Sequence, residues 1–156
     1  DEIKRQHGQV EKVAGDAIMA YWQGSDTPQG AHNMCAYQAC YTALQLRDLI
    51  HKIAASADGW PFPNHPLQVD VALATGPVAA GVLGSAKANP ALLGDTANLA
   101  FRLEKMIGAD TPGDIIMDGT TYELIKEHFT VHPLGSYTVK GRQRAVDVFR
   151  LLSLNT

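Results

Sequence analysis

Residues 94–104 of the chain read GDTANLAFRLE, and this stretch predicts a tight loop that turns into an amphipathic helix. Gly94 permits a tight backbone, and Asp95 is a good N-cap because its carboxylate accepts N–H groups of the first turn. Asn98 and Arg102 are four residues apart and therefore share one helix face. A solvated surface accounts for this polar pair on its own. A phosphate-binding helix would need the same amide and guanidinium side by side.

The bulk composition is that of one ordinary globular domain. The chain has 156 residues, of which 46% are hydrophobic and 19% charged. The formal net charge of −3 and the absence of a Lys/Arg run argue against a nucleic-acid partner. The sequence has neither an apolar run of membrane-spanning length nor a signal peptide at its start. We therefore expect a cytoplasmic location.

The two cysteines do not predict a disulfide or a metal site. Cys35 and Cys40 are five residues apart in a helical pattern, which places them on different faces of the helix. Reduced thiols in a cytosolic setting are expected. His32 precedes Cys35 by three residues, but the sequence offers no further ligands to complete a zinc site.

The first half of the chain predicts a hairpin, a long helix and a buried strand. After a helical tail at residues 1–7, residues 9–14 and 17–22 form two strands joined by a Gly15-Asp16 turn. A helix follows over residues 31–55, since its apolar residues recur at three- and four-residue spacing. A proline-rich loop leads to a strand over residues 67–74.

The second half predicts further alternation of helices and strands. Residues 78–83 form a small apolar segment, residues 85–93 a loop, and the helix from Asp95 extends to about Ile107. The remaining elements are a strand, a helix capped by Asp118 or Thr120, a further strand and a final hairpin around a basic turn, at residues 114–117, 118–126, 129–134 and 137–151. This order predicts a mixed sheet with packed helices rather than a doubly wound parallel sheet.

Few side chains stand out as chemical candidates when each is taken alone. Asp16 lies at the tip of a hairpin, where it is either a common turn residue or a metal ligand held on a rigid turn. Lys12 lies four residues earlier on an otherwise apolar strand, at a sheet edge or pointing into a site. Lys140 and Arg142 flank Gly141, as part of a solvated turn or of a phosphate clamp. The sequence has no Walker loop, Ser/His/Asp set or cysteine nucleophile.

Four stretches together resemble the catalytic domain of class III nucleotidyl cyclases, most closely the bacterial adenylate cyclases. They occur in the family's order and at approximately its spacing, and they cover nearly the whole chain: residues 12–20 (KVAGDAIMA), 74–85 (ATGPVAAGVLGS), 94–104 (GDTANLAFRLE) and 139–142 (VKGR). Each motif alone is moderately specific, and four in order are highly specific. The resemblance implies an α+β fold with a ferredoxin-like, mainly antiparallel sheet.

The resemblance also implies a reaction and a set of site residues. The family forms cyclic nucleotides from nucleoside triphosphates and releases pyrophosphate, using two divalent ions, Mg²⁺ or Mn²⁺, held by two aspartates. Asp16 matches the second of these metal ligands. Asn98 matches the residue that orients the ribose, and Arg102 the one that stabilises charge on the α-phosphate. Lys140 matches a triphosphate-binding lysine, and Lys87 is a weaker match to a basic residue near the phosphates.

Base choice depends on two further positions. Lys12 occupies the position where adenylate-forming members carry Lys and guanylate-forming members Glu, and a lysine can donate to the N1 acceptor of adenine. Lys12 therefore favours ATP. The partner position, usually Asp or Thr in the family, is Ala91, whose side chain cannot accept a hydrogen bond from the adenine amino group. Selectivity is then either looser or supplied by backbone and water.

The resemblance implies a homodimer with two shared sites, in which Asp16 serves one site and Lys12, Asn98, Arg102 and Lys140 complete the other. Residues 1–156 read as one cyclase domain that lacks the family's N-terminal strand, which carries the first metal aspartate. Members often follow a sensory or membrane-bound segment, so the domain could be the cytosolic part of a membrane protein.

Two other functions compete with adenylate cyclase. Ala91 and the unmatched first aspartate favour an inactive cyclase-like module kept for dimerisation or nucleotide binding. Lys12 disfavours a guanylate cyclase. The five matching residues Lys12, Asp16, Asn98, Arg102 and Lys140 favour an enzyme that converts ATP to 3′,5′-cyclic AMP.

Overall fold

The computed structural model describes residues 2–24, 30–82, 90–106 and 113–156, without the side chains of residues 12–14, 30–32, 79–82 and 90–93. These residues form four helices and eight strands. The helices are α1 (Glu2–Arg5), α2 (Gly30–Ala54), α3 (Asp95–Met106) and α4 (Gly119–Ile125). The strands are β1 (Gln9–Ala14), β2 (Ala17–Tyr21), β3 (Val71–Leu73), β4 (Ala79–Val82), β5 (Pro90–Leu93), β6 (Ile115–Asp118), β7 (Phe129–Tyr137) and β8 (Val146–Leu154).

A four-stranded mixed sheet, in the order β3-β6-β8-β7, forms the centre of the described fold. β3 and β6 are parallel, whereas β8 is antiparallel to both β6 and β7. Two antiparallel hairpins, β1–β2 and β4–β5, accompany this sheet. The predicted α+β architecture with a mixed sheet and packed helices is confirmed.

The helices bury the two faces of the sheet separately. Alternation along β6 directs Ile115 and Met117 to one face and Ile116 to the other. On the first face, the apolar stripe of α2, including the fully buried Cys40, packs with Ile115 and Met117. On the second face, Leu99 and Leu103 of α3 pack against Ile116. Each fully buried side chain of this size contributes about 1.5–3 kcal/mol. The apolar face predicted for α3 is therefore what fixes this helix to the sheet.

Several local predictions agree with the structure. The strand over residues 9–14 has the predicted bounds, and Gly15-Asp16 forms the turn to β2. Gly15 has a φ of 59°, a left-handed conformation that glycine adopts without strain. The α4 helix begins after Asp118, whose side chain accepts a hydrogen bond from the N–H of Thr121 and thus forms the predicted N-cap. Cys35 and Cys40 are both free, and burial raises the pKa of Cys40 to about 12, which keeps this thiol unreactive.

Three predictions about strands are wrong. Residues 90–93, predicted as loop, form β5 against β4, where Pro90 is tolerated because it is the strand's first residue. The strand predicted over residues 67–74 is reduced to Val71–Leu73, the residues that pair with β6. The final hairpin does not pair residues 137–140 with 145–151. Instead, β8 pairs with the longer β7, which crosses Pro133 because β7 is an edge strand with an irregular register there.

None of the helices in the described part of the chain is long and apolar enough to cross a membrane.

Candidate active site

Arg102 lies against a turn from the other end of the chain. Arg102 is half-buried on α3, and its guanidinium faces the backbone of Gly141. A Cβ atom placed on Gly141 would lie 2.9 Å from Nη1, 3.3 Å from Nη2 and 3.4 Å from Cζ of Arg102. A side chain at position 141 would therefore require the Arg102 guanidinium to shift. The fold therefore joins the α3 motif and the 139–142 motif into one site.

The turn itself requires glycine for a second reason. The N–H of Arg142 donates to the carbonyl oxygen of Val139 at 3.0 Å, which closes a four-residue turn. Gly141, in the third position of this turn, has a φ of 87°, as a type II turn requires. Val139 is buried in the core beside α3, while Lys140 is exposed. The turn thus anchors one residue in the core and presents the lysine next to it to solvent.

An ion pair joins the turn to the start of α3. Nη2 of Arg142 lies 2.7 Å from Oδ2 of Asp95, the first residue of that helix. The Asp95 side chain is 72% exposed and that of Arg142 is 30% exposed. An ion pair this open to solvent adds little to the free energy of unfolding. Its main consequence is geometric, since it fixes the turn relative to α3.

The first turn of α3 is also held from its other side. Oγ1 of Thr96 donates to the carbonyl oxygen of Pro77 at 2.9 Å. Gly76 is so close that a Cβ atom there would lie 2.5 Å from this hydroxyl oxygen. Thr96 is 8% exposed, so its hydroxyl needs the partner that Pro77 supplies. The segment after β3 and the 139–142 turn therefore enclose the start of α3.

A buried carboxylate lies next to this arrangement. Asp118, which is 4% exposed, accepts hydrogen bonds from the N–H of Thr121 at 3.0 Å and from its hydroxyl at 2.6 Å. The Thr121 hydroxyl also lies 2.7 Å from that of Thr75, which follows β3. Burial raises the pKa of the Asp118 carboxyl, while these hydrogen bonds, one from the Thr75 backbone and the charge of Arg142 act in the opposite direction. Asp118 thus links the ends of β3 and β6 to the 139–142 turn.

The structure brings some of the predicted site residues together. Asn98 is exposed on α3 one turn before Arg102, and Lys140 is exposed beside Gly141, so these three residues share one region. Asp16 is exposed at the tip of the β1–β2 hairpin, and it has no hydrogen-bond or ion-pair partner among the described residues.

Three predicted residues are described only in part or not at all. Lys12 lies in β1 opposite Met19, and Ala91 lies in β5 opposite Gly81. The side chains of Lys12 and Ala91, and the whole of Lys87, lie outside the described residues. The predicted roles of Lys12, Ala91 and Lys87 therefore stay predictions.

A groove of about 940 Å³ lies at the opposite end of the sheet. Its lining includes Val69, just before β3, and Asp114, just before β6, together with Trp60 and Phe62 of the proline-rich loop. Because β3 and β6 are parallel, their other ends lead to Thr75 and Asp118 beside the Arg102 site. None of the candidate residues lines this groove.

Sequence reasoning missed the contacts that hold the site together. It placed Asp95 as a helix cap and Arg142 as a possible phosphate ligand, and it did not pair them. Their positions carry no local signal for this contact, because the two residues belong to distant parts of the chain. The left-handed Gly141 was visible as a turn glycine, but its contact with Arg102 depends on the packing of α3.

Comparisons with known proteins confirm the resemblance to the nucleotidyl cyclases. Residues 1–152 match the model of the family described as the adenylate and guanylate cyclase catalytic domain. The chain belongs to this family. This cyclase domain is 34% identical to an adenylate cyclase of Mycobacterium tuberculosis over 147 residues, which cover 91% of the chain and 29% of the relative. It is 32% identical to the human guanylate cyclase soluble subunit beta-2 over 145 residues, which cover 92% of the chain and 22% of the relative.

A solved structure supports the same fold. The guanylate cyclase domain of RhGC from Catenaria anguillulae, in complex with GTP, superposes with a TM-score of 0.74 at 26% identity. The match covers 99% of this cyclase domain and 77% of that chain. The domain spans about 29% of the length of its mycobacterial relatives. Since relatives of both adenylate and guanylate type match, the family is shown while the preferred nucleotide is not determined.

Proposed function

We propose that this cyclase domain converts ATP to 3′,5′-cyclic AMP and pyrophosphate. The observation that carries the proposal is the meeting of Arg102 with the Lys140–Gly141 turn, one helical turn from Asn98. Two cations and an amide from separate motifs thus belong to segments that the fold brings together. A triphosphate substrate needs such a set, because its negative charge is distributed over several phosphoryl groups.

The residues act on the substrate in distinct ways. In the reaction, the ribose 3′-oxygen forms a bond to the α-phosphorus, the bond from that phosphorus to the bridging oxygen breaks, and pyrophosphate leaves with the electron pair. Asn98 orients the ribose through its amide. Arg102 donates N–H groups to the α-phosphoryl oxygens as charge develops on them, and Lys140 binds the outer phosphates as a point charge.

Asp16 fits one ligand of a divalent cation. Its carboxylate is exposed on a two-residue turn, and such a hard oxygen donor suits Mg²⁺ or Mn²⁺. No group of three or more His, Cys, Asp or Glu residues that could hold a metal is present in the described part of the chain. When bound, the ions neutralise the phosphates and activate the 3′-hydroxyl.

Lys12 supports ATP as the substrate. A lysine donates to the N1 acceptor of adenine, whereas N1 of guanine carries a proton and would be met by an acceptor. Ala91 offers no side-chain hydrogen bond to the adenine amino group, so we expect preference for ATP rather than strict exclusion of GTP. The same alanine favours the second candidate function, a cyclase-like module that binds nucleotide or dimerises without turnover.

The test is a cyclase assay on the full-length protein with ATP and with GTP, each in the presence of Mn²⁺. We expect cyclic AMP as the main product, and Arg102→Ala should lower kcat by about 10³-fold, the lower end for a positioned arginine in phosphoryl transfer. Lys105→Ala, which removes an exposed cation from the same helix, is the matched control and should retain activity. If neither cyclic AMP nor cyclic GMP is formed, the second candidate function, a cyclase-like module without turnover, is favoured. Unchanged turnover in Arg102→Ala would remove its proposed role.

A further inference from the structure

The position of the Arg102 guanidinium depends on packing rather than on hydrogen bonds. Its Nη1 atom is buried and has no hydrogen-bond partner among the residues that the structure describes. The backbone of Gly141 packs against it. A Cβ atom added to Gly141 would lie 2.9 Å from Nη1 of Arg102. Whatever fixes the 139–142 turn therefore also fixes the guanidinium.

The Arg142 side chain joins this turn to a neighbouring helix. Its guanidinium lies 2.7 Å from Asp95 at the start of α3, and its charge is the smallest of the influences that oppose the burial-raised pKa of Asp118, which caps α4. The backbone N–H of Arg142 closes the turn itself through Val139. Arg142 thus connects the turn with the start of α3 through its Nη2 atom, while its Nε atom is buried without a hydrogen-bond partner among the described residues.

We propose that Arg142 and Asp95 are positioning residues, whose ion pair holds the Val139–Arg142 turn over α3 so that the Gly141 backbone confines the Arg102 guanidinium. The proposal rests on the cyclase function in one respect, namely that Arg102 acts on the substrate. Without the ion pair, the turn moves away from α3, and Arg102 gains freedom to leave the orientation that the α-phosphate requires.

The consequence is a change in kcat rather than in substrate affinity. Because an ion pair this exposed holds the turn only weakly, its loss can change the population of the correct turn position by at most about fivefold. Arg142→Gln should therefore lower kcat severalfold, by up to about fivefold, with little change in KM, since Lys140 itself is retained. Asp95→Asn should have the same effect, because asparagine keeps the size of the side chain while removing the charge that pairs with Arg142.

The experiment combines these variants in the full-length protein. Because both substitutions remove the same interaction, Arg142→Gln with Asp95→Asn should be no slower than either single variant. Arg142→Lys, which keeps a cation near Asp95, should recover much of the rate. Arg144→Gln, an exposed position two residues further along, is the control and should behave as the wild type. Gly141→Ala leaves both side chains of the ion pair in the sequence but strains the turn and displaces the guanidinium, and it should also lower kcat.

A second measurement does not depend on turnover. Amide hydrogen exchange should become faster at residues 139–142 and 95–98 in Arg142→Gln and not in Arg144→Gln. Additive losses in the double variant, an unchanged kcat or unchanged exchange would each overturn the proposal. If the wild type makes no cyclic nucleotide, the proposed function fails, and the exchange measurement alone decides whether the ion pair holds the turn.

Discussion

Asp118 shows how one side chain can serve a helix and still carry an unfavourable charge. Its carboxylate accepts two hydrogen bonds from Thr121 and so replaces water at the start of α4. Because the residue is buried, its ionised form also loses hydration, and the pKa of the carboxyl is raised. The start of α4 requires an acceptor oxygen at this position, but it does not require a negative charge.

Replacement of Asp118 separates these two effects. Asp118→Ala should lower the free energy of unfolding by about 1–2 kcal/mol, because the N–H and hydroxyl of Thr121 lose their acceptor in a buried site. Asp118→Asn keeps an acceptor oxygen and should cost less than Asp118→Ala. Urea denaturation of the three proteins at neutral pH measures both differences.

The raised pKa also fixes the sign of the pH dependence. The folded state binds the Asp118 proton more tightly than the unfolded state, so the wild type should gain free energy of unfolding relative to Asp118→Asn as pH falls through the folded pKa. The gain is complete below the unfolded pKa of about 3.9. The same denaturation series from pH 7 to pH 4 tests this, and a wild-type advantage that grows towards pH 7 would contradict it.

At the scale of an element, α3 is determined by its ends as much as by its apolar face. Leu99 and Leu103 place the helix on the sheet, but Thr96 and Asp95 fix its start between the segment after β3 and the 139–142 turn. Since Asn98 and Arg102 follow within two turns, a small shift of this start moves both of them.

Gly76 is the most confined point of this contact. Gly76→Ala places a Cβ atom 2.5 Å from Oγ1 of Thr96 and should lower the free energy of unfolding by about 1–3 kcal/mol. Thr96→Ala removes the clashing hydroxyl, so Gly76→Ala added to Thr96→Ala should cost far less than it does alone. Thermal and urea denaturation of the four proteins measure this coupling.

A matched control exists at another glycine without positive φ. A Cβ atom on Gly119 would meet its nearest neighbour, the Cβ of Asp147, at an ordinary 3.5 Å. Gly119→Ala should therefore be neutral or stabilising in a helix. Equal losses for Gly76→Ala in the presence and absence of the Thr96 hydroxyl would show that the contact is not the cause.

At the scale of the whole molecule, the sequence predicts those structural features that depend on residues close together in the chain. The hairpin at Gly15-Asp16, the long α2 and the cap at Asp118 follow from local periodicity and turn chemistry, and each agrees with the structure. The β7–β8 pairing and the Asp95–Arg142 contact depend on tertiary packing, which overrides local signals such as Pro133. For the same reason, the four motifs predict a site, while the contacts between them depend on the fold.

Two exposed apolar side chains favour contact with a second copy of the chain. Ile18 of β2 is 61% exposed and Phe101 of α3 is 45% exposed, although both belong to the motifs of the site. Asp16 lies on the same hairpin as Ile18. A second copy of the chain that brings its Asp16 hairpin to this α3 would cover apolar surface and complete each site.

Such shared sites predict complementation between two inactive variants. Asp16→Asn and Arg102→Ala should each abolish cyclase activity alone, since every site in either homodimer contains a defect. In a mixed dimer, the intact Asp16 of one chain meets the intact Arg102 of the other, so one of the two sites is complete. Random mixing should therefore restore about a quarter of wild-type activity, because half of the dimers are mixed and each carries one working site. The measurement is cyclic nucleotide formation after the variants are co-expressed, with each variant co-expressed with itself as the control. No recovery, despite mixed dimers isolated through two affinity tags, would show that Asp16 and Arg102 do not act in a site shared between chains.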